Sequence, residues 1–166
     1  MQTEIHRRRV LIGIGGLTAA TVLDAGVAFG APAHALQLSA FDFRSVKEDG
    51  RNYLSGGTYP TTDSALFATV PLPEGTKIRS IEFFVSNVSG SQISLVVLKY
   101  TATGAAPVLI ANSLFASQSS IKVKAVLIPV NAVIASQESY LAVAESLHTD
   151  GTTLVHGAQI AYDPAP

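Results

Sequence analysis

The chain has 166 residues, 14% of them charged, a formal net charge of −1 and no cysteine. That balance excludes a nucleic-acid binder, whose affinity comes from clustered Lys and Arg on phosphates. With 48% hydrophobic residues it also excludes a disordered chain, and without cysteine there is no disulfide framework, so packing alone must hold the fold.

The first segment, residues 1–35, reads as a cleavable signal peptide. Arg7, Arg8 and Arg9 form a basic start, and residues 10–23 carry only small and apolar side chains plus Thr18 and Thr21. After Asp24 the stretch 25–35 ends in Ala33-His34-Ala35, whose short side chains fit a signal peptidase. Cleavage is expected after Ala35, which makes Leu36 the mature N-terminus. A membrane anchor is the alternative, but a spanning helix needs about 20 apolar residues. This tract is short, glycine-rich and broken by Asp24, so no stable membrane insertion is expected after cleavage. The run His6-Arg7-Arg8-Arg9-Val10-Leu11 resembles a twin-arginine export signal. That resemblance implies a bacterial chain that folds before export; an ordinary secretory signal with three basic residues is the other reading. Removal of residues 1–35 leaves eight basic against ten acidic side chains in one domain, 36–166.

From Leu36 onward the pattern is β throughout, with alternation and β-branched runs between turn signals and no sustained helical period. Residues 36–43 read as a first strand with Phe41 and Phe43 on one face. The glycine-rich stretch 46–60 reads mostly as loop. Residues 65–70 form a strand stopped by Pro71 and Pro73, because proline donates no ladder hydrogen bond. In 77–86, Ile81, Phe83 and Val85 share a face. Asn87-Val88-Ser89-Gly90 is a turn, 92–100 returns, and the pair is expected to be a hairpin. Further strands fall at 108–116, 120–128, 139–146 and 153–162. The segment 129–137 reads as either a short helical turn or a bulged edge. Seven or eight strands at this spacing predict an all-β domain, an antiparallel, jelly-roll-like β-sandwich. In 92–100, Ile93, Leu95 and Val97 oppose Val96, Leu98 and Tyr100, so both faces are apolar. A lone sandwich leaves one face of each sheet in water. The second face is therefore expected to be covered, either by another copy in a homo-oligomer or by long loops.

The run Leu72-Pro73-Glu74-Gly75-Thr76-Lys77-Ile78 precedes Phe83 and Phe84, the turn 87–90 and Ile93-Ser94-Leu95. This order is similar to a sandwich-type domain of uncharacterised secreted bacterial proteins. Tyr140-Leu141-Ala142-Val143 and Ile160-Ala161-Tyr162 fit the pattern's last two strands. The resemblance implies a fold and a secreted setting, and carries no catalytic residue.

The chemistry-bearing residues are few. Beyond residue 35 only His148 and His156 remain of the four histidines. His148, Asp150 and His156 are a conceivable metal set, since imidazole and carboxylate suit zinc, but Asp150-Gly151 is equally turn chemistry. His156 is expected to share a strand face with Leu154, Ala158, Ile160 and Tyr162. No G-x-S-x-G elbow is present. Glu48, Asp49, Glu82 and Glu145 form no obvious carboxylate pair, although Glu48-Asp49-Gly50 offers hard oxygens to calcium. Phe41, Phe43, Tyr53 and Tyr59 are a conceivable aromatic platform for sugars in a chain without tryptophan. The expectation is an exported, non-catalytic module with a structural, assembly or binding role and no cofactor. Its candidate partners are a second copy, an extracellular polymer or a small apolar ligand. The alternative is a small β-barrel enzyme of cyclase or isomerase type, with His156, Tyr162, Glu145 and Tyr53 around an internal ligand.

Overall fold

A computed structural model describes residues 34–45, 50–62 and 64–166. Apart from His34 and Ala35, the segment expected to be a signal peptide lies outside them, as do Glu48 and Asp49 of the candidate calcium loop. Among the described residues there are ten strands and one 3₁₀ turn. The strands are β1 (His34–Ser39), β2 (Arg51–Leu54), β3 (Gly57–Pro60), β4 (Ala65–Val70), β5 (Lys77–Asn87), β6 (Ile93–Thr101), β7 (Val108–Phe115), β8 (Lys124–Val133), β9 (Glu138–Glu145) and β10 (Thr153–Asp163). All pairings are antiparallel. The first sheet, A, runs β2-β3-β10-β5-β8, with β1 on the same edge of β10 as β3; the second, B, runs β4-β9-β6-β7. This is the jelly-roll-like antiparallel β-sandwich the sequence predicts.

The inner faces of the two sheets fill one core. Ile81, Phe83 and Val85 of β5 meet Ile93, Leu95 and Val97 of β6, with Ala158 and Ile160 of β10 and Ala142 and Ala144 of β9 among them. All ten are fully buried. The interior is thus a packed layer between two separate sheets, where the barrel alternative needed a ligand space.

Four local expectations are corrected. The polar stretch 46–60 holds the β2–β3 hairpin, closed by a two-residue turn at Ser55 and Gly56 with φ of 50° and 78°. Two positive φ values make it a type I′ turn, whose twist matches the flanking strands. The turn after β5 closes no hairpin. Both edges of β5 are taken by β10 and β8, and both edges of β6 by β9 and β7. The chain crosses between sheets there around the buried Asn87. Its Nδ2 donates to Ser91 O at 2.8 Å, and its Oδ1 accepts from Ser89 Oγ at 2.7 Å. The third correction concerns Phe41 and Phe43, which do not share a face. A 3₁₀ turn over Ala40–Asp42, capped by the Asp42 carboxylate on Ser39 N at 2.7 Å, turns Phe43 into the core and Phe41 outward. Finally, β8 begins at Lys124 rather than Ser120 and runs on to Val133. Its Pro129 sits at a register shift against β5, on a sheet edge where proline costs no central ladder bond. The bulged edge is the reading of 129–137 that the chain adopts.

Candidate functional site

The β2–β3 hairpin forms the end of sheet A, and it gathers the exposed aromatic surface. Tyr53 lies opposite Thr58 in the hairpin, and Tyr59 opposite Asn52. The two tyrosines therefore sit on opposite sides, as residues of adjacent register must. The Tyr53 ring meets Phe41 at a centroid distance of 4.8 Å and an interplanar angle of 36°. Phe41 is 70% exposed and Tyr53 40%. Among the described residues these are the two aromatics in a set of exposed large hydrophobics that is otherwise aliphatic, and an exposed apolar pair in mutual contact is the informative case.

Arg51 fixes this pair. Its Nη1 donates to the carbonyl of Phe43 and, at 3.4 Å, to that of Phe41. Its guanidinium carbon lies 5.7 Å from the Tyr53 ring centroid, within cation–π range. One side chain thus ties the 3₁₀ turn to β2 and braces the aromatic ring. Beside the pair is an open depression of about 240 Å³, lined by Ala40, Phe41, Tyr53, Leu54, Ser55, Gly56 and Gly57. Pockets that enclose a drug-sized ligand hold ~300–1,000 Å³. This surface is a platform for one flat group rather than a cavity.

The other side of the hairpin packs tightly on β10. A Cβ added at Gly57 would lie 2.9 Å from Leu154 Cβ and 3.0 Å from His156 Cε1, so glycine alone lets the hairpin seat there. The register shift between Val155 and Gly157 leaves His156 as the bulged residue. This corrects the expected face: Ala158 and Ile160 point into the core, while Leu154 is buried outside it and His156 turns toward Ser86. His156 Nε2 and Ser86 Oγ are 3.1 Å apart. Burial pushes the His156 pKa down, and a hydrogen bond with the Gly56 backbone opposes the shift. The pair has the hydrogen bond of a nucleophile and its base, but Ser86 is 2% exposed, so no substrate reaches its oxygen. It is a buried structural contact that sequence spacing did not reveal.

The remaining candidates are dispersed. Tyr162 lies six residues beyond His156 on β10, stacked with His34 at 5.5 Å. Glu145 belongs to sheet B, opposite Ala65 and Ser94. Asp150 accepts from Thr152 N at 3.0 Å and Thr152 Oγ1 at 2.6 Å. Those bonds hold its pKa below the usual carboxylate range, with nearby His148 a minor cause. Among the described residues no group of three or more His, Asp or Glu is placed to hold a metal ion. Of the four aromatics named above, Phe41 and Tyr53 come together. Phe43 is in the core, 6.3 Å from Phe83, and Tyr59 faces Gly151.

No protein-family model matches the chain, and no curated protein matches it. Among solved structures, the chain is similar to the Clostridium thermocellum N-terminal endo-1,4-β-D-xylanase 10B, its CBM22-1 and GH10 modules complexed with xylohexaose. The identity is 10% and the TM-score 0.53, over 78% of this chain and 27% of that one. An exo-β-1,3-galactanase from Phanerochaete chrysosporium with galactose matches at 11% identity and a TM-score of 0.45, over 77% of this chain and 29% of that one. The chain thus spans little more than a quarter of either, and the first likeness is one of fold.

Proposed function

We propose that this chain is an exported, non-catalytic β-sandwich module that binds an extracellular glycan on the Phe41–Tyr53 platform. The observation that carries the reading is the exposed, Arg51-braced aromatic pair beside an open depression. Sugar rings present apolar C–H faces that settle on aromatic rings, while their hydroxyls stay in water at an open site. A chain of such rings needs a surface without walls. The fold likeness to a structure complexed with xylohexaose is consistent with this reading.

The test is affinity electrophoresis of the exported protein through gels containing xylan, galactan or β-glucan. Retention in at least one gel is expected, and the Phe41→Ala/Tyr53→Ala pair is expected to weaken it by about tenfold to a hundredfold, the effect of losing a central aromatic anchor. Migration unchanged in every gel, or retention that survives the double substitution, sinks the reading.

A second reading, assembly, is favoured by the outer face of sheet B. Val96 and Val143 are paired neighbours, 5% and 6% exposed, yet neither belongs to the core. Register places Phe67, Leu141, Leu98, Leu109 and Leu114 on the same side. Four strands ~4.8 Å apart and about six residues of ~3.3 Å rise give roughly 400 Å² of flat area. Two copies pairing these faces fall below the ~1,200–2,000 Å² of stable interfaces, so this second reading takes the form of a weak, reversible dimer.

A further inference from the structure

The tip of the β2–β3 hairpin rests on one titratable side chain. A Cβ placed on Gly57 would lie 3.0 Å from His156 Cε1 and 3.1 Å from Nδ1, so the ring sits directly under the turn. Gly56 and Gly57 also line the depression beside Phe41 and Tyr53. The hairpin joins β10 by a single register pair, Val155 with Thr58. Little main-chain bonding therefore competes with a change at His156.

The hydrogen bonds specify the protonation state this arrangement needs. The bond with the Gly56 backbone favours the charged ring, so the ring is its donor. Nε2 is occupied by Ser86 Oγ at 3.1 Å, which leaves Nδ1 to donate to Gly56. A neutral imidazole has one donor and one acceptor, so Nε2 accepts from the Ser86 hydroxyl. Charging the ring puts a second N–H at Nε2, pointed at that same hydroxyl. Ser86 is 2% exposed, and among the described residues no other hydrogen bond reaches its Oγ. Its hydrogen would be turned into the protein without an acceptor, a state that buried polar groups avoid.

We propose that His156 is an acid-release latch for the platform: neutral, it fastens the hairpin tip to sheet A, and charged, it lets the tip and a bound glycan go. This inference rests on the glycan reading. The ring has a way out, since His156 is the bulged residue between Val155 and Gly157 and is half-buried. Arg51 keeps the base of the hairpin tied to the carbonyls of Phe41 and Phe43. What loosens is residues 54–57, which line the depression, while the sandwich stays folded. The titratable and charged groups on the hairpin are Arg51 and Tyr59; those nearest on the other packed elements are Glu82 of β5, Asp42 of the 3₁₀ turn, and His148 and Asp150 before β10. Asp42 is engaged by Ser39 and Asp150 by Thr152. At the far end of β5 and β10, Arg79 pairs with Asp163 and His34 stacks on Tyr162. The causes that move His156 are burial and the Gly56 bond, so among the described residues no carboxylate holds the charged ring in place.

The test is calorimetric titration of the folded protein with neutral xylo-, galacto- and gluco-oligosaccharides at about pH 7.5 and about pH 5. Wild type, His156→Gln and Glu82→Gln are compared. Wild-type affinity is expected to fall about fivefold or more on acidification, the low end of coupling between linked sites. His156→Gln, which cannot charge, should lose that dependence, and Glu82→Gln should keep it. By linkage the same factor must appear as a downward shift of the His156 ring titration when oligosaccharide is bound, read by NMR on the wild type. Equal wild-type affinity at both pH values, an equal pH dependence in His156→Gln, or a ring titration unmoved by oligosaccharide overturns the latch and leaves the platform standing. Circular dichroism at about pH 5 should show the native β spectrum, and release that coincides with unfolding of the whole domain also overturns the latch. Binding of no oligosaccharide at either pH overturns both.

Discussion

The hairpin end of sheet A and the outer face of sheet B are both surfaces with exposed apolar groups, yet they are built differently. The hairpin concentrates two aromatic rings at one point and braces them with Arg51. Sheet B spreads aliphatic side chains over four strands, with Val96 and Val143 at the centre and Leu109 and Leu114 more than half exposed at the β7 edge. A braced aromatic point suits a ligand met in water, where orientation matters. A broad aliphatic layer suits a surface of the same kind, where area matters. The proposed reading gives recognition to the one and self-association to the other.

The largest effect that tests this division is on the hairpin's seat. Gly57→Val forces a side chain against Leu154 and His156 and is expected to cost about 1–3 kcal/mol, read by urea unfolding, with loss of glycan retention in the surviving folded protein. Full retention would mean that the platform does not depend on how the hairpin sits on β10. On sheet B, Leu109→Asp with Leu114→Asp is expected to leave stability within about 0.5 kcal/mol, as exposed positions usually do. The same pair should abolish any concentration-dependent mass increase seen by light scattering. A wild type that stays monomeric at all concentrations removes the assembly reading while leaving the platform untouched.

The smallest effect concerns pH. His156 has its pKa lowered in the folded state by burial, so on acidification the unfolded chain takes up that proton first. The stability it contributes is present above the ordinary histidine range and is lost as pH falls through that range toward the folded value. Unfolding midpoints measured from about pH 8 to about pH 5.5 should fall in the wild type and fall less steeply in His156→Gln. Identical slopes would mean that His156 is solvated and not held beneath the hairpin.

The strands from β4 onward were legible in sequence because alternation and proline stops are local signals. Partner choice was not. Nothing within residues 77–100 says that β5 and β6 belong to different sheets, since that depends on β8, β9 and β10 occupying their edges. The β2–β3 hairpin was hidden by its polar composition; its one signal was the Ser55-Gly56 dipeptide, which fits a turn needing two positive φ values. Half of the site was legible, because Phe41 and Tyr53 were among the aromatics singled out. The 3₁₀ turn that separates Phe41 from Phe43, and the bulge that turns His156 outward, each break an alternation that a linear reading extends. Both irregularities lie next to the platform.

The most direct test of the division of labour is backbone amide chemical-shift mapping of the folded protein, titrated with an oligosaccharide of whichever glycan retains it. The account predicts perturbations clustered at Phe41, Arg51 to Gly57 and, through the hairpin's underside, His156. Perturbations centred on Val96, Leu98, Leu141 and Val143 instead would place recognition on sheet B and contradict it.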